Sequence, residues 1–498
     1  MDDGTPTLVL APIEPLVQLS EEACSGFRAR LVATGYGPAL LGEAESIAPA
    51  QLDAIRLPLV QRWLRRKAGA GSRLALLFEY LSPLSRREAE DALTAPLLSA
   101  LEGAGVVREH GGEIASAVRV TPLEGLFIVS DPYRSGADAA MGPGLTTLDL
   151  VRLLPAAPRS LLDVGTGAGT LALIAAARGA PRALGIDVNE RAIALARFNA
   201  RLNGLVAEFR TGDLFEPTEG EKFDLVLSQP PYVVQPDGVE RVTYLHGGPR
   251  GDELAFRFVA AFPAALAPRG RGLLLFDSPP PSAPLQARLR SSLGDAAVDL
   301  VLLLAPGPSA DLQAVGYASV EDPALGDRYR AALGRYRDHL ERFGTEAFSR
   351  VLVILQASEG GRLDAQLPVG GLGQLDAQRL DRLLAGLALA GADEARLLAT
   401  RVALAPGGRL VEERAAGHLA GEPLRAVRFD KGALALDREI SEAGSVLFAL
   451  LESAATVRQA TARFAEASGA DEIAIRRTVL DFVREGLSRA LLVSVDAT

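Results

Sequence analysis

The run LLDVGTGAGTLAL, from Leu161 to Leu173, leaves few folds open to the chain. A short apolar stretch ends in glycines at every second position, Gly165, Gly167 and Gly169, and an apolar helical stretch begins at once. Glycine lets a backbone turn sharply and approach a bound group closely. A strand, glycine turn and helix in that order therefore place a ligand at the carboxyl end of a strand. Downstream, short apolar segments (RALGIDV, AEFRTGDLF, KFDLVLSQPPY, RGLLLFDS) alternate with amphipathic ones (NERAIALARFNARLNG, DELAFRFVAAFPAAL). VDLVLLLAP and SRVLVILQAS read as closing strands. That alternation predicts a doubly wound α/β core built on a mostly parallel sheet.

Three acids end three successive strands of this core. Asp163 precedes the glycine turn, where it can accept a hydrogen bond from an ammonium group or from the turn's own amides. Asp187 follows about twenty residues on, where a carboxylate can hold both hydroxyls of a ribose. Asp213, in RTGDLF, is placed to accept from an exocyclic adenine amine. Singly, each Asp could be a helix N-cap or turn former. Together, opposite a G-x-G-x-G turn, they point to a cofactor that carries a nucleoside. The turn departs from the dinucleotide pattern G-x-G-x-x-G, because Thr170 stands where its third glycine would be.

The fourth strand ends abruptly in Gln229-Pro230-Pro231-Tyr232. A bland account is a proline turn capping a strand, with a half-buried tyrosine. The chemical account is that the glutamine amide and the Pro230 carbonyl are two acceptors for the N–H groups of a conjugated nitrogen. The prolines would fix those acceptors, and Tyr232 would offer a stacking face. Asp163 to Thr170, Asp187-Val188-Asn189, Gly212-Asp213 and Gln229 to Tyr232, in this order, resemble a class I S-adenosylmethionine-dependent methyltransferase, over about residues 125–358.

That resemblance implies a seven-stranded Rossmann-like core and S-adenosyl-L-methionine as cofactor. It implies cofactor contacts from Asp163, Gly165, Thr166, Gly167, Gly169, Asp187, Val188, Asn189, Asp213, Leu214 and Gln229. Gln229, Pro230, Pro231 and Tyr232 would be catalytic, as a variant of the Asn-Pro-Pro-Tyr motif of enzymes that methylate amide or exocyclic nitrogen. The glutamine offers its amide about 1.5 Å further out than asparagine would. MGPGLTTLDLVRLLP, with Thr146 and Thr147, and YLHGGPRGDELAFRFV, with His246, resemble segments near the target in glutamine N5-methyltransferases of release factors. Thr146, Thr147 and His246 are substrate-side candidates on that basis, although a lone loop histidine is more often solvated. The reaction implied is methyl transfer to an amide or amine nitrogen of a protein, peptide or small molecule. The alternatives are N6-adenine or N2-guanine methylation of nucleic acid, and a cofactor-binding regulatory protein without turnover.

The chain's 498 residues exceed one ordinary core. Residues 1–124 read as a helical, winged-helix-like module, with a hairpin around Gly111-Gly112. Residues 125–358 form the methyltransferase domain with a helical insertion at about 311–347. Residues 359–374 read as a linker, and 375–498 as an α+β, winged-helix-like module that ends in three helices and a strand. That last module could hold a peptide along a sheet edge, or serve dimerisation. Arg62, Arg65, Arg66 and Lys67 form either an anion contact or the solvated face of a helix. A net charge of -10 disfavours nucleic acid as a partner. A lone cysteine, Cys24, excludes a disulfide framework. Four scattered histidines (His110, His246, His339, His418) give no ligand spacing, so no metal is expected. The N-terminus lacks a signal-peptide pattern and no membrane span is expected, which predicts a cytoplasmic protein and leaves a homodimer open.

Overall fold

A computed structural model describes residues 10, 12–46, 53–132, 136–239, 241–280, 284–322, 325–358, 362–414 and 423–495; His418 lies outside them. The chain divides into two compact units. The first comprises Met1–Val151, Ala156–Leu300 and Gly307–Arg362, and the second Arg152–Pro155, Val301–Pro306 and Leu363–Thr498.

The core strands are β1 (Ser160–Val164), β2 (Arg182–Asp187), β3 (Glu208–Thr211), β4 (Phe223–Ser228), β5 (Leu266–Ser278), β6 (Val298–Ser309) and β7 (Ala347–Ala357), all of the first unit except the Val301–Pro306 stretch of β6, which belongs to the second. They stand in the order β3-β2-β1-β4-β5-β7-β6. Neighbours from β3 to β5 run parallel, and β7 runs antiparallel to β5. This is a large mixed α/β sheet, parallel over most of its width. β1 and β4 are almost wholly buried, and their residues pair from Leu161 with Leu225 to Val164 with Ser228. The order therefore reverses at β1 and β4, where open α/β sheets bind ligands at the carboxyl ends. Helix α1 (Thr170–Ala177) follows β1, and α2 (Glu190–Asn203) follows β2, with Asn189 capping α2 through its side chain. Helix α3 (Glu253–Ala265) leads into β5.

Two sequence expectations change. The boundary at residue 124 falls inside a β-hairpin, Arg119–Leu123 against Leu126–Ser130. Its two-residue turn, Glu124 and Gly125, has positive φ at both positions, the geometry that matches strand twist. Residues before and after that boundary belong to one unit. The stretch 359–374 holds a strand, Asp364–Pro368, which stands beside β6 as an eighth strand in the sheet order. Its Val369 N–H donates to the Leu304 carbonyl at 2.9 Å, and both residues lie in the second unit. The insertion forms two helices, α5 (Asp327–Arg342) after α4 (Ala310–Glu321).

Near the N-terminus, Ser85 and Glu88 form a capping box on the helix Arg86–Leu93. Three short strands in the order Leu84–Ser85, Glu113–Ser116, Val107–His110 accompany it, with the hairpin turn at Gly111-Gly112. Arg62, Arg65, Arg66 and Lys67 occupy exposed positions of the helix Asp53–Lys67. Lys67 pairs with Glu43 at 2.6 Å, and Arg65 donates to Ser82. The second unit carries helices Ala377–Ala390, Glu442–Ser453, Val457–Ser468 and Glu472–Ser488. Its strand Leu492–Ser494 pairs antiparallel with Val402–Leu404. Among the described residues no helix is long and apolar enough to cross a membrane, and no group of three or more His, Cys, Asp or Glu is placed to hold a metal.

Candidate active site

The glycine turn is held from below by its own sheet. Gly165 and Thr166 donate their N–H groups to the Ile186 carbonyl of β2 at 2.8 and 2.9 Å. The Gly167 N–H reaches the Asp187 Oδ2 at 2.9 Å, while the Asp187 Oδ1 accepts from the Asn189 N–H at 2.9 Å. Gly165, Gly167 and Gly169 have φ of 76°, 53° and 88°, values that side-chain-bearing residues rarely adopt. A Cβ at Gly169 would strike Ala196, whereas one at Gly165 would meet nothing within 4 Å, so that face of the turn stays open. Asp163, 2% exposed, accepts from the Thr166 hydroxyl at 2.6 Å. Burial, opposed by that hydroxyl and reinforced by Asp187, pushes its pKa up to about 7. Burial also raises the pKa of Asp187, against its backbone hydrogen bonds. Asp213 is exposed and pairs with Arg257 at 3.2 Å. Leu214, beside it, has φ of 50°, and Val188 is 56% exposed.

Residues not singled out from the sequence lock this turn. Asp131, 1% exposed, takes a two-pronged hydrogen bond from Arg191 at 2.7 and 2.6 Å and also accepts the Ala140 N–H. Asn189 donates from its side chain to the Asp138 carbonyl at 2.7 Å, and Ala168 N–H donates to the Met141 carbonyl. The segment 136–141 is thereby tied to the glycine turn and to the start of α2. Asn199 and Asn203, one helical turn apart on α2, bond the N–H and C=O of Val129 and Phe127 as a neighbouring strand would. Asn199 also donates to the Ala168 carbonyl at 2.9 Å, joining the hairpin to the turn. Two amides on the otherwise apolar buried face of an amphipathic helix were a visible signal.

On the neighbouring strand end, the Thr147 hydroxyl donates to Gln229 Oε1 at 3.0 Å and accepts the Gly144 N–H at 3.2 Å. That chain of donors fixes the amide orientation, since a flipped Gln229 would leave the Thr147 proton without an acceptor. Of the two threonine candidates, Thr147 thus meets Gln229, and Thr146 is buried. The Pro-Pro turn is backed by the loop Gly247 to Gly251. A Cβ at Gly247 would fall onto the carbonyls of Pro231 and Gly251, and one at Gly251 onto the carbonyl of Tyr232. His246 is 2% exposed, contrary to the solvated loop histidine expected. It lies on the short strand His246–Gly248 that pairs with Val233–Val234. Its Nδ1 accepts the Val242 N–H at 3.0 Å, which puts the proton on Nε2, and burial with the nearby Arg241 lowers its pKa to about 4. His339 of α5 bonds the Pro249 carbonyl at 2.6 Å.

Beyond Tyr232, Arg350 of β7 bonds Asp277 of β5 at 2.8 and 3.1 Å and approaches Asp149 at 3.8 Å. Burial works against the Arg350 charge, but the Asp277 hydrogen bond and charge outweigh it and raise the pKa above its ordinary value. The meeting of Arg350 and Asp277 on neighbouring strands with Asp149 of the helix Leu145–Leu153 was not readable from spacing.

A Rossmann-like sheet in the order 3-2-1-4-5-7-6, a glycine turn between acids after β1 and β2, and a proline turn after β4 are the features that the sequence resemblance to class I methyltransferases implies. Comparison with known proteins agrees. Residues 144–244 match the family model of the methyltransferase small domain. A Methanocaldococcus jannaschii protein, named provisionally as a protein N5-glutamine methyltransferase, is 34% identical over 24% of this chain and 63% of its own. Release factor glutamine methyltransferases of Geobacter sulfurreducens and Deinococcus radiodurans are 32% and 38% identical, over 32% and 26% of this chain and 62% and 50% of theirs. Over these stretches the chain is similar to the methyltransferase small domain and to glutamine N5-methyltransferases, and it spans less than two thirds of the length of each of these relatives. Among solved structures, a ribosomal protein L11 methylase from Lactobacillus delbrueckii aligns over 32% of this chain and 72% of its own at 22% identity, with a TM-score of 0.24.

Proposed function

We propose that the chain is an S-adenosylmethionine-dependent N-methyltransferase whose acceptor is an amide nitrogen of a protein. The observation that carries this is the placement of a fixed pair of acceptors, the Gln229 amide oxygen and the Pro230 carbonyl, at the end of β4, directly beside the glycine turn of β1. The names of the relatives support the class of acceptor.

The residues present fit the cofactor. The open backbone at Gly165 leaves room that any Cβ would fill. Asp163 and Asp187 offer carboxylates to an ammonium and a ribose, and exposed Asp213 suits an exocyclic amine. Thr166, Gly167, Gly169, Val188, Asn189 and Leu214 would line the same face. Once bound, S-adenosylmethionine supplies an electrophilic methyl on a positive sulfur. The chain does the positioning. Gln229 Oε1, with one lone pair taken by Thr147, keeps the other for an acceptor N–H, and Pro230 takes the second. Two such bonds hold a poorly nucleophilic nitrogen in line and favour charge developing on it. Tyr232 supplies an apolar face for the flat amide. Both ends of the chain read as winged-helix-like modules, and the second unit as an acceptor-holding or dimerising element.

The test is methyl transfer from tritiated cofactor to a purified bacterial release factor, with ribosomal RNA offered separately. Label is expected on a glutamine side chain. Gln229→Ala is expected to keep cofactor affinity within about twofold and to lose about a hundredfold in turnover. Label on RNA alone, or undiminished turnover in the variant, refutes the proposal.

A further inference from the structure

An amide acceptor has a carbonyl oxygen as well as N–H groups, and in a water-poor site that oxygen requires a donor. The insertion brings one. Helix α4 begins at a Ser309 cap, whose hydroxyl oxygen accepts from Leu312 N–H at 3.2 Å, and its Ala310 N–H donates to the Glu346 carbonyl. It joins α5 in an apolar cluster of Val233, Val234, Ala314, Tyr336, Leu340 and Phe348, so it packs on the two residues directly after Tyr232. Tyr317 of α4 packs its ring against Tyr336, with centroids 5.2 Å apart. Its hydroxyl is shut off from solvent and has no hydrogen-bond partner among the described residues. Around it stand Tyr232, Asp277, Tyr336 and Arg350, three of which come from the strand ends that frame the acceptor side. Burial, reinforced by Tyr232, Asp277 and Tyr336 and opposed by Arg350, keeps the phenol protonated by raising its pKa well above the ordinary value.

A buried hydroxyl without a partner weakens the fold, and phenylalanine would fill the same space without that penalty. The hydroxyl therefore has no use inside the chain. We infer that Tyr317 is a specificity-determining residue, its O–H donating to the carbonyl oxygen of the acceptor amide while Gln229 and Pro230 take the N–H groups. This rests on the amide reading of the site given above.

Tyr317→Phe separates the possibilities, because it removes one oxygen atom and keeps the ring. The variant is expected to unfold at the same or a higher temperature than wild type and to bind S-adenosylhomocysteine with unchanged affinity. Its KM for the release factor is expected to rise about tenfold, the worth of one hydrogen bond in a dry site. N-acetylglutamine amide, titrated into the protein saturated with S-adenosylhomocysteine, is expected to bind the variant more weakly by a similar factor. A wild type that methylates glutamine beside a variant with unchanged KM and amide affinity overturns the inference and leaves the amide reading standing. A variant less stable than wild type also overturns it, because the hydroxyl would then have a structural partner. A wild type that binds cofactor yet neither methylates glutamine nor binds the amide overturns both.

Discussion

Asp163→Asn isolates what burial does to a single carboxyl group. In the folded protein its pKa stands at about 7, whereas an unfolded chain ionises the same group near pH 4. Between those values the folded state holds a proton that the unfolded state has released. The stabilisation is therefore complete below about pH 4 and is lost as pH rises through about 7. At roughly 1.4 kcal/mol for each pH step of one, the whole window is worth about 4 kcal/mol, of which about 3 kcal/mol falls between pH 5 and pH 8. Asparagine keeps an oxygen for the Thr166 hydroxyl, which donates at 2.6 Å, and it does not titrate. Urea unfolding of the cofactor-free protein should show wild type losing about 3 kcal/mol relative to Asp163→Asn from pH 5 to pH 8. The same carboxyl should also couple pH to ligand. An ammonium brought against it favours the ionised form, so wild type should bind S-adenosylhomocysteine more tightly as pH rises towards about 7, level off above it, and release a proton on binding below it. The asparagine variant should bind with little dependence on pH. Parallel unfolding profiles for the two proteins would refute the buried-proton argument outright.

Asp187→Ala removes the acceptor of the Gly167 and Asn189 N–H groups together with the proposed ribose ligand, so cofactor binding should fall below detection. The melting temperature should drop too, by the equivalent of about 1–3 kcal/mol, and calorimetry beside a thermal melt reads both. Gly247→Ala forces a Cβ onto the Pro231 carbonyl, so the proline turn must move. Turnover should fall at least tenfold while cofactor affinity holds, and a variant with full turnover would show that the loop does not set the turn.

What the sequence disclosed and what it hid differ in how far apart the cooperating residues lie. The strand, glycine turn and helix from Leu161 to Leu173 are legible because every constraint is local, and so is the abrupt stop at Gln229. The hairpin turn at Glu124-Gly125 was visible as well, but a turn and a domain boundary share the same residues, and only pairing across it decides which it is. The short strand Asp364–Pro368 is too brief and polar to stand out from a glycine-rich connection. The locks on the cofactor turn join Arg191 to Asp131 and Asn199 to Val129, pairs sixty and seventy residues apart that meet only because α2 lies over the hairpin. Thr147 and Gln229, eighty-two residues apart, are the sharpest case. The glutamine amide reaches about 1.5 Å further than the asparagine of the usual motif, and the hydroxyl that steadies it shows how the extra reach is managed. A side chain with an added rotor gains reach at the cost of about one more bond's freedom, and a hydrogen bond to its oxygen removes that freedom again before any acceptor arrives. On that argument Gln229 is preorganised through Thr147, and the position of its free lone pair is set by the helix Leu145–Leu153 as much as by β4.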